Sequence, residues 1–273
     1  MHHQRKRVKR HIVITGGTRG IGKGLAKEFL RNNCRVTLSG RKQSSVDAVV
    51  EELKEISENE ACEGYACEVT RAIDIQELWN QACSIQPIDI WINNAGINHV
   101  SQQFHKLEPQ VIQEVLDTNI SGTMLASHTV INGMLKQGFG FLYNMEGLGS
   151  DGRIVEGVSI YGSTKRTVRY FTKALIKEYK DDPIQIGTLS PGMVVTDMLI
   201  DPLSSHPEDN REALKIFHIL ADRPEVVTPW LVSKILGNHK HGAHIAWLTN
   251  QKIAGRFIAS MFKKRKVKGL PDF

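Results

Sequence analysis

Apolar residues along this chain follow two alternating rhythms: short β-branched runs, and longer stretches with apolar positions three and four apart. The first run, His11-Ile12-Val13-Ile14-Thr15, stops at glycines, and residues 21–31 then show helical spacing, which predicts strand, turn, helix. The alternation repeats with strand 35–39, helix 44–57, strand 64–69, helix 73–84 and strand 88–93. Helices at 108–116 and 121–136 lead to a strand at 140–145, and a helix at 161–179 to a strand at 184–189. Beyond Pro191 the rhythm loosens through Pro202 and Pro207, before helices near 208–220 and 224–236, a last strand at 244–249 and a last helix at 251–262. Strands alternating with helices predict a parallel sheet with right-handed crossovers. The expected fold is α/β: one Rossmann-type, doubly wound parallel sheet flanked by helices, with a helical segment after the sixth strand covering a ligand.

The junction of the first strand and helix reads Thr15-Gly16-Gly17-Thr18-Arg19-Gly20-Ile21-Gly22. Glycines there allow a tight turn and close approach to a pyrophosphate, and the helix N-terminus supplies unpaired N–H donors. The tip of the second strand, Leu38-Ser39-Gly40-Arg41-Lys42, carries no carboxylate to receive a ribose 2′-hydroxyl. Arg41, flanked by Arg19, suits a 2′-phosphate instead, so the residues favour NADP(H) over NAD(H).

Composition narrows the setting. The chain has 273 residues, of which 41% are hydrophobic, enough for one large core. No apolar stretch approaches the ~18 residues of a membrane span, and basic residues 1–10 precede no signal-like apolar segment. A soluble, intracellular, cytoplasmic protein is expected. Cys34, Cys62, Cys67 and Cys83 lack metal-ligand spacing and read as buried thiols, and the cluster His239, His241, His244 lacks companion ligands, so no metal is expected. The formal charge of +6 sits largely at the two ends. The run Met261-Phe262-Lys263-Lys264-Arg265-Lys266-Val267-Lys268 reads as a solvated tail with weak contact to an anionic membrane surface as the alternative; no nucleic-acid partner is expected.

Taken in order, Thr15, Gly16, Gly20, Gly22, then Asn93-Asn94-Ala95-Gly96, Asn119, Tyr161-Gly162-Ser163-Thr164-Lys165, and Ser190-Pro191-Gly192 with Thr196, resemble the short-chain dehydrogenase/reductase family. The resemblance covers roughly residues 11–200. It implies that Glu68, beside Val69, stands where the family has an aspartate for the adenine. It also implies that Asn94, Ala95, Gly96, Pro191, Gly192, Val194 and Thr196 line the cofactor. Tyr161, Lys165 and Asn119 are then the family's active-site residues. The family's serine lies thirteen residues before the tyrosine, where this chain has Leu148, so Ser150 is the nearest hydroxyl to take its place. The segments Asn144-Met145-Glu146-Gly147-Leu148-Gly149-Ser150 and Leu220-Ala221-Asp222-Arg223-Pro224-Glu225 are similar to the chlorophyll b reductase branch, whose members reduce a formyl group with NADPH.

In that chemistry hydride transfer leaves an alkoxide that needs a proton. Tyr161 can donate it, and an ammonium at Lys165, one turn along the helix, is expected to lower the phenol's pKa. The domain plan becomes a basic extension at 1–10, an NADP-binding catalytic domain at 11–250, and a helix with basic tail at 251–273. The expected substrate is a hydrophobic carbonyl or alcohol, and the expected assembly a homodimer or homotetramer through helices 121–136 and 161–179. A reductase of an unrelated ketone, aldehyde or sterol-like alcohol is the second reading. A catalytically silent NADPH-binding regulator is the third.

Overall fold

The computed structural model describes residues 10–56, 61–204 and 211–270; parts of the basic start, of the expected helices at 44–57 and 208–220, and of the tail lie outside them. Seven strands form a single sheet in the order β3-β2-β1-β4-β5-β6-β7. They are β1 His11–Ile14, β2 Arg35–Gly40, β3 Cys62–Ala66, β4 Ile90–Asn93, β5 Phe141–Met145, β6 Gln185–Ser190 and β7 His244–Ala246. Every pairing is parallel, as alternation with helices requires. Helices α1 Gly20–Arg31, α2 Gln43–Lys54, α3 Ala72–Ile85, α4 Pro109–Leu116, α5 Thr123–Gln137 and α6 Ser159–Glu178 follow in order. Four more, α7 Asp197–Ser204, α8 Arg211–Leu220, α9 Pro224–Leu236 and α10 Asn250–Phe262, complete the described α-helices.

The sheet is buried on both faces, which explains why its strands read as continuous apolar runs. On one face Leu25 and Phe29 of α1, Val46 and Leu53 of α2, and Val227 and Leu231 of α9 pack on Ile12, Ile14 and Leu38. On the other, Leu78 and Trp79 of α3, Val130 and Met134 of α5, and Leu175 of α6 pack on Val13, Trp91 and Leu142. The chain runs outward from β1 to β3, then returns to place β4 on the other side of β1. Strand order therefore reverses between β1 and β4, and a crevice opens beyond their C-terminal ends. Cys34, Cys62 and Cys67 are buried thiols, pushed up to about 11, 12 and 12 by loss of water.

The structure corrects the sequence reading at β3, ahead of α5 and in the tail, and the last strand ends at Ala246 rather than 249. β3 ends at Ala66, not 69: Cys67 N–H makes the last bond to β2, at the Gly40 carbonyl, and Glu68 N–H is taken by the Asp74 carboxylate. The helix expected from 121 begins at Thr123, preceded by a π-helical turn at Asp117–Gly122; Gly122 lies so close to Val69 that a Cβ would sit 2.9 Å from its Cγ2. The tail is not wholly solvated. Val267 and Leu270 are buried against Val195 and Ala221, and Asp222, 4% exposed, accepts from Trp247, Arg256 and Arg265. A buried carboxylate needs such partners, and they draw the tail onto the segment that walls the crevice.

Candidate active site

The crevice is a cleft of about 470 Å³. Its floor is the β1–α1 turn. Gly16 adopts φ +64 and Gly20 φ +55, and a Cβ on Gly16 would stand 2.8 Å from Ala95 Cα, so the turn closes only on glycine. Thr15 lies beneath, its Oγ1 accepting from Asn94 and Ala95 N–H at 3.1 Å each, while the Asn94 amide donates to the Thr15 and Gly16 carbonyls at 2.9 and 3.0 Å. Gly17 N–H donates to the Ser39 carbonyl at 2.8 Å. Thr15, Gly17 and Ser39 thus brace the turn from behind, whereas Gly16, Thr18, Arg19, Gly20, Ile21 and Gly22 line the cleft.

The first turn of α1 has no acidic side chain and no side-chain cap, so its N–H groups meet the cleft without a protein acceptor. With the glycine cradle this fits the pyrophosphate of a dinucleotide. At the β2 end Gly40 and Arg41 line the cleft with Lys42 and Ser45, two polar residues the sequence reading passed over, and Glu68 and Val69 face them from beyond β3. Arg19 reaches across the opening to Asp197 at 3.7 Å rather than standing free beside Arg41. Both partners are well exposed, so the pair is worth less than about 1 kcal/mol and yields to a phosphate. Asn94, Ala95 and Gly96 form the middle of the cleft, and Pro191, Gly192, Val194 and Thr196 its far wall. That wall is held by Val195 N–H to the Asp222 carbonyl and Asp222 N–H to the Met193 carbonyl, at 2.9 and 3.0 Å.

Tyr161 and Lys165 come from the first turns of α6 and line the same cleft. Lys165 Nζ is 5.7 Å from the Tyr161 ring centroid and donates to the Met145 carbonyl at 3.3 Å. Asn119 stands behind them in the π-helical turn, 1% exposed. Its Oδ1 accepts from Ile97 N–H at 2.9 Å, and its Nδ2 donates to the Ile97 carbonyl and Thr164 Oγ1 at 2.9 and 3.1 Å. That side chain ties the loop after β4 to α6.

Ser150 lies off the cleft lining. Its hydroxyl donates to the Glu146 carboxylate at 3.3 Å, and its carbonyl accepts from Arg166 at 3.1 Å. The residue beside the tyrosine is Gly147, where a Cβ would fall 2.6 Å from the phenolic oxygen. Position 147 therefore carries no side chain at the place the serine was sought. Glu146, missed from sequence, lines the cleft one residue earlier with its side chain 1% exposed. A charged residue directly after a buried strand was the signal that could have found it.

Burial, not the lysine, dominates the phenol: loss of water pushes Tyr161 up to about 12. The expected lowering by Lys165 does not prevail. Burial also pulls Lys165 down to about 8, and the Glu146 charge opposes that fall. Burial thus favours the protonated phenol at Tyr161 and the neutral amine at Lys165.

A parallel sheet with a glycine cradle at its switch point and a Tyr–Lys pair across the cleft defines a dinucleotide-binding oxidoreductase fold, and this chain belongs to the short chain dehydrogenase family, whose model matches residues 10–205. Within the family it is 34% identical over 272 residues to the probable chlorophyll(ide) b reductase NYC1 of Arabidopsis thaliana, covering 93% of this chain and 54% of that one. It is 38% identical over 232 residues to the chlorophyll(ide) b reductase NOL of the same plant, covering 82% and 65%. The chain thus spans about half the length of the first relative and under two thirds of the second, and both are named chloroplastic. The crystal structure of levodione reductase superimposes with a TM-score of 0.81 at 21% identity, covering 91% of this chain and all of that one, a likeness of fold. Among the described residues no helix is long and apolar enough to cross a membrane.

Proposed function

We propose that this chain is an NADPH-dependent reductase that converts a carbonyl to an alcohol, with a formyl group on a bulky hydrophobic molecule of the chlorophyll(ide) b kind as substrate. The observation that carries this reading is the shared cleft: the glycine cradle and Arg41 at one end, Tyr161 and Lys165 at the other. When bound, NADPH supplies the hydride. The α1 N-terminus and the Gly16–Gly22 turn would hold its pyrophosphate, Arg41 its 2′-phosphate, and Pro191 to Thr196 its nicotinamide. Tyr161 donates a proton from its hydroxyl to the developing alkoxide, and the Lys165 ammonium stabilises the phenolate left behind. Asn119 is the strut that keeps α6 at its distance from β4.

Apolar residues support a hydrophobic substrate. Leu148, Met193, Leu199 and Phe217 line the open side of the cleft. Val100 and Phe104 in the segment after β4 and Ile154 and Val155 in the segment after β5 are exposed, and the two segments are joined by Gln102 N–H to the Gly157 carbonyl at 3.1 Å. Relatives named chlorophyll(ide) b reductase at 34% and 38% identity favour the pigment over an unrelated ketone or sterol-like alcohol.

Incubation with NADPH and chlorophyllide b, followed by the loss of NADPH absorbance and of the formyl group, tests the proposal. Turnover is expected. Activity on simple aldehydes without turnover of chlorophyllide b would remove the pigment, and NADPH binding without oxidation by any carbonyl would leave the silent regulator. The same reading includes a homodimer or homotetramer through α5 and α6, checked by light scattering. It also includes weak contact with an anionic membrane through Phe257, Ile258, Met261 and Phe262 of α10, which are exposed beside Lys263 and Lys264. Sedimentation with phosphatidylglycerol vesicles checks that contact. A cytoplasmic location belongs to the proposal as well; cell fractionation decides between it and the plastid of the plant relatives.

A further inference from the structure

β5 delivers a carboxylate into the cleft wall. Glu146 follows Met145 directly, and its N–H is fixed to the Leu189 carbonyl at 2.8 Å. A carboxylate so far from water persists only where cations and donors compensate it. Ser150 Oγ donates to it at 3.3 Å, Arg169 Nη1 lies 3.5 Å away, and His244 Nδ1 of β7 lies 3.8 Å away. Lys165 binds the carbonyl of the preceding residue at 3.3 Å. Lys165 and Arg169 are one helical turn apart on α6, so one helix face presents two cations to the end of β5. Tyr161, on the same helix, lines the cleft with this carboxylate.

These side chains differ in access to water. The His244 side chain is 43% exposed and that of Arg169 23%, whereas Lys165 is 5% exposed. Water can solvate the first two in place of the carboxylate, but it has little access to the third. We infer that Glu146 is a positioning residue that acts through Lys165, its carboxylate holding that ammonium charged in the cleft. The inference rests on the reading of Tyr161 and Lys165 as the proton-donating pair. Burial alone pulls the lysine down, and Glu146 opposes it, so the high-pH limb of carbonyl reduction is set by how far this opposition reaches. Sequence position makes the arrangement specific: the carboxylate stands next to Gly147, where the side chain facing the phenol is missing.

Two readouts test this on the full chain. The first is the titration of Lys165 by ¹³C-lysine NMR, its resonance assigned with Lys165→Arg. In Glu146→Gln the midpoint falls by about one pH unit, while in Glu146→Asp, which keeps the charge, it stays within about half a unit of the parent. The second is kcat/KM for NADPH-dependent reduction of chlorophyllide b against pH, in which the high-pH limb of Glu146→Gln moves down by the same amount. An unchanged Lys165 midpoint in Glu146→Gln overturns the inference. So does a fall in Glu146→Asp as large as that expected of Glu146→Gln, which keeps the test decisive if the Gln variant does not fold. If the NMR midpoint moves as stated but the parent reduces no carbonyl, the proposed reaction fails and the Glu146–Lys165 coupling stands.

Discussion

The two ends of the cleft are built in different ways. At the β1–α1 turn the recognition surface is backbone: glycines in left-handed conformations, helix N–H groups, and Thr15 and Asn94 bracing them from behind. At the β5–α6 junction it is side chains, with Glu146, Tyr161 and Lys165 lining the cleft and the Gly147 backbone pressed against the phenol. A backbone site tolerates few residues and so announces itself in spelling. A side-chain site can move a functional group by a residue and keep its place in space.

Substitutions that separate the two ends sharpen this contrast. The largest effect belongs to Gly16→Ala: a methyl 2.8 Å from Ala95 Cα at φ +64 should weaken NADPH binding at least about 100-fold, measured by nicotinamide fluorescence. Gly147→Ala should lower kcat on the order of 10-fold or more with NADPH binding within a factor of about 2, because its methyl meets the Tyr161 hydroxyl rather than the cofactor cradle. If both variants lost binding alike, the two ends would not be separable. Arg41→Ala should weaken NADPH about 10-fold and leave NADH unchanged, read by calorimetry with the two cofactors. Smallest is Ser150→Ala: since that hydroxyl serves Glu146, steady-state kcat should change by less than about 3-fold, whereas a large loss would return it to the role sought for it from sequence.

The contrast also explains what could be read in advance. The order of strands and helices was legible because each buried element keeps its period, and the glycine turn was legible because Gly16, Gly20 and Gly22 have no substitutes. The π-helical turn at Asp117–Gly122 was not, since its cause is the contact of Gly122 with Val69, some fifty positions earlier in the chain. The tail was misjudged for the same kind of reason. Its lysines read as a solvated run, but Arg265 answers to Asp222, a partner invisible to any local pattern. Ser150 was chosen by counting back from Tyr161, and counting cannot see that Gly147 approaches the phenol while the serine turns to Glu146.

The central claim, that Tyr161 hands a proton to a carbonyl reduced in this cleft, is tested most directly by Tyr161→Phe, which removes one oxygen and leaves the ring in place. NADPH binding and kcat should be measured on the same preparation. The account predicts an unchanged Kd for NADPH and a kcat lower by about 10²–10⁴-fold. Retention of the parent kcat would contradict it.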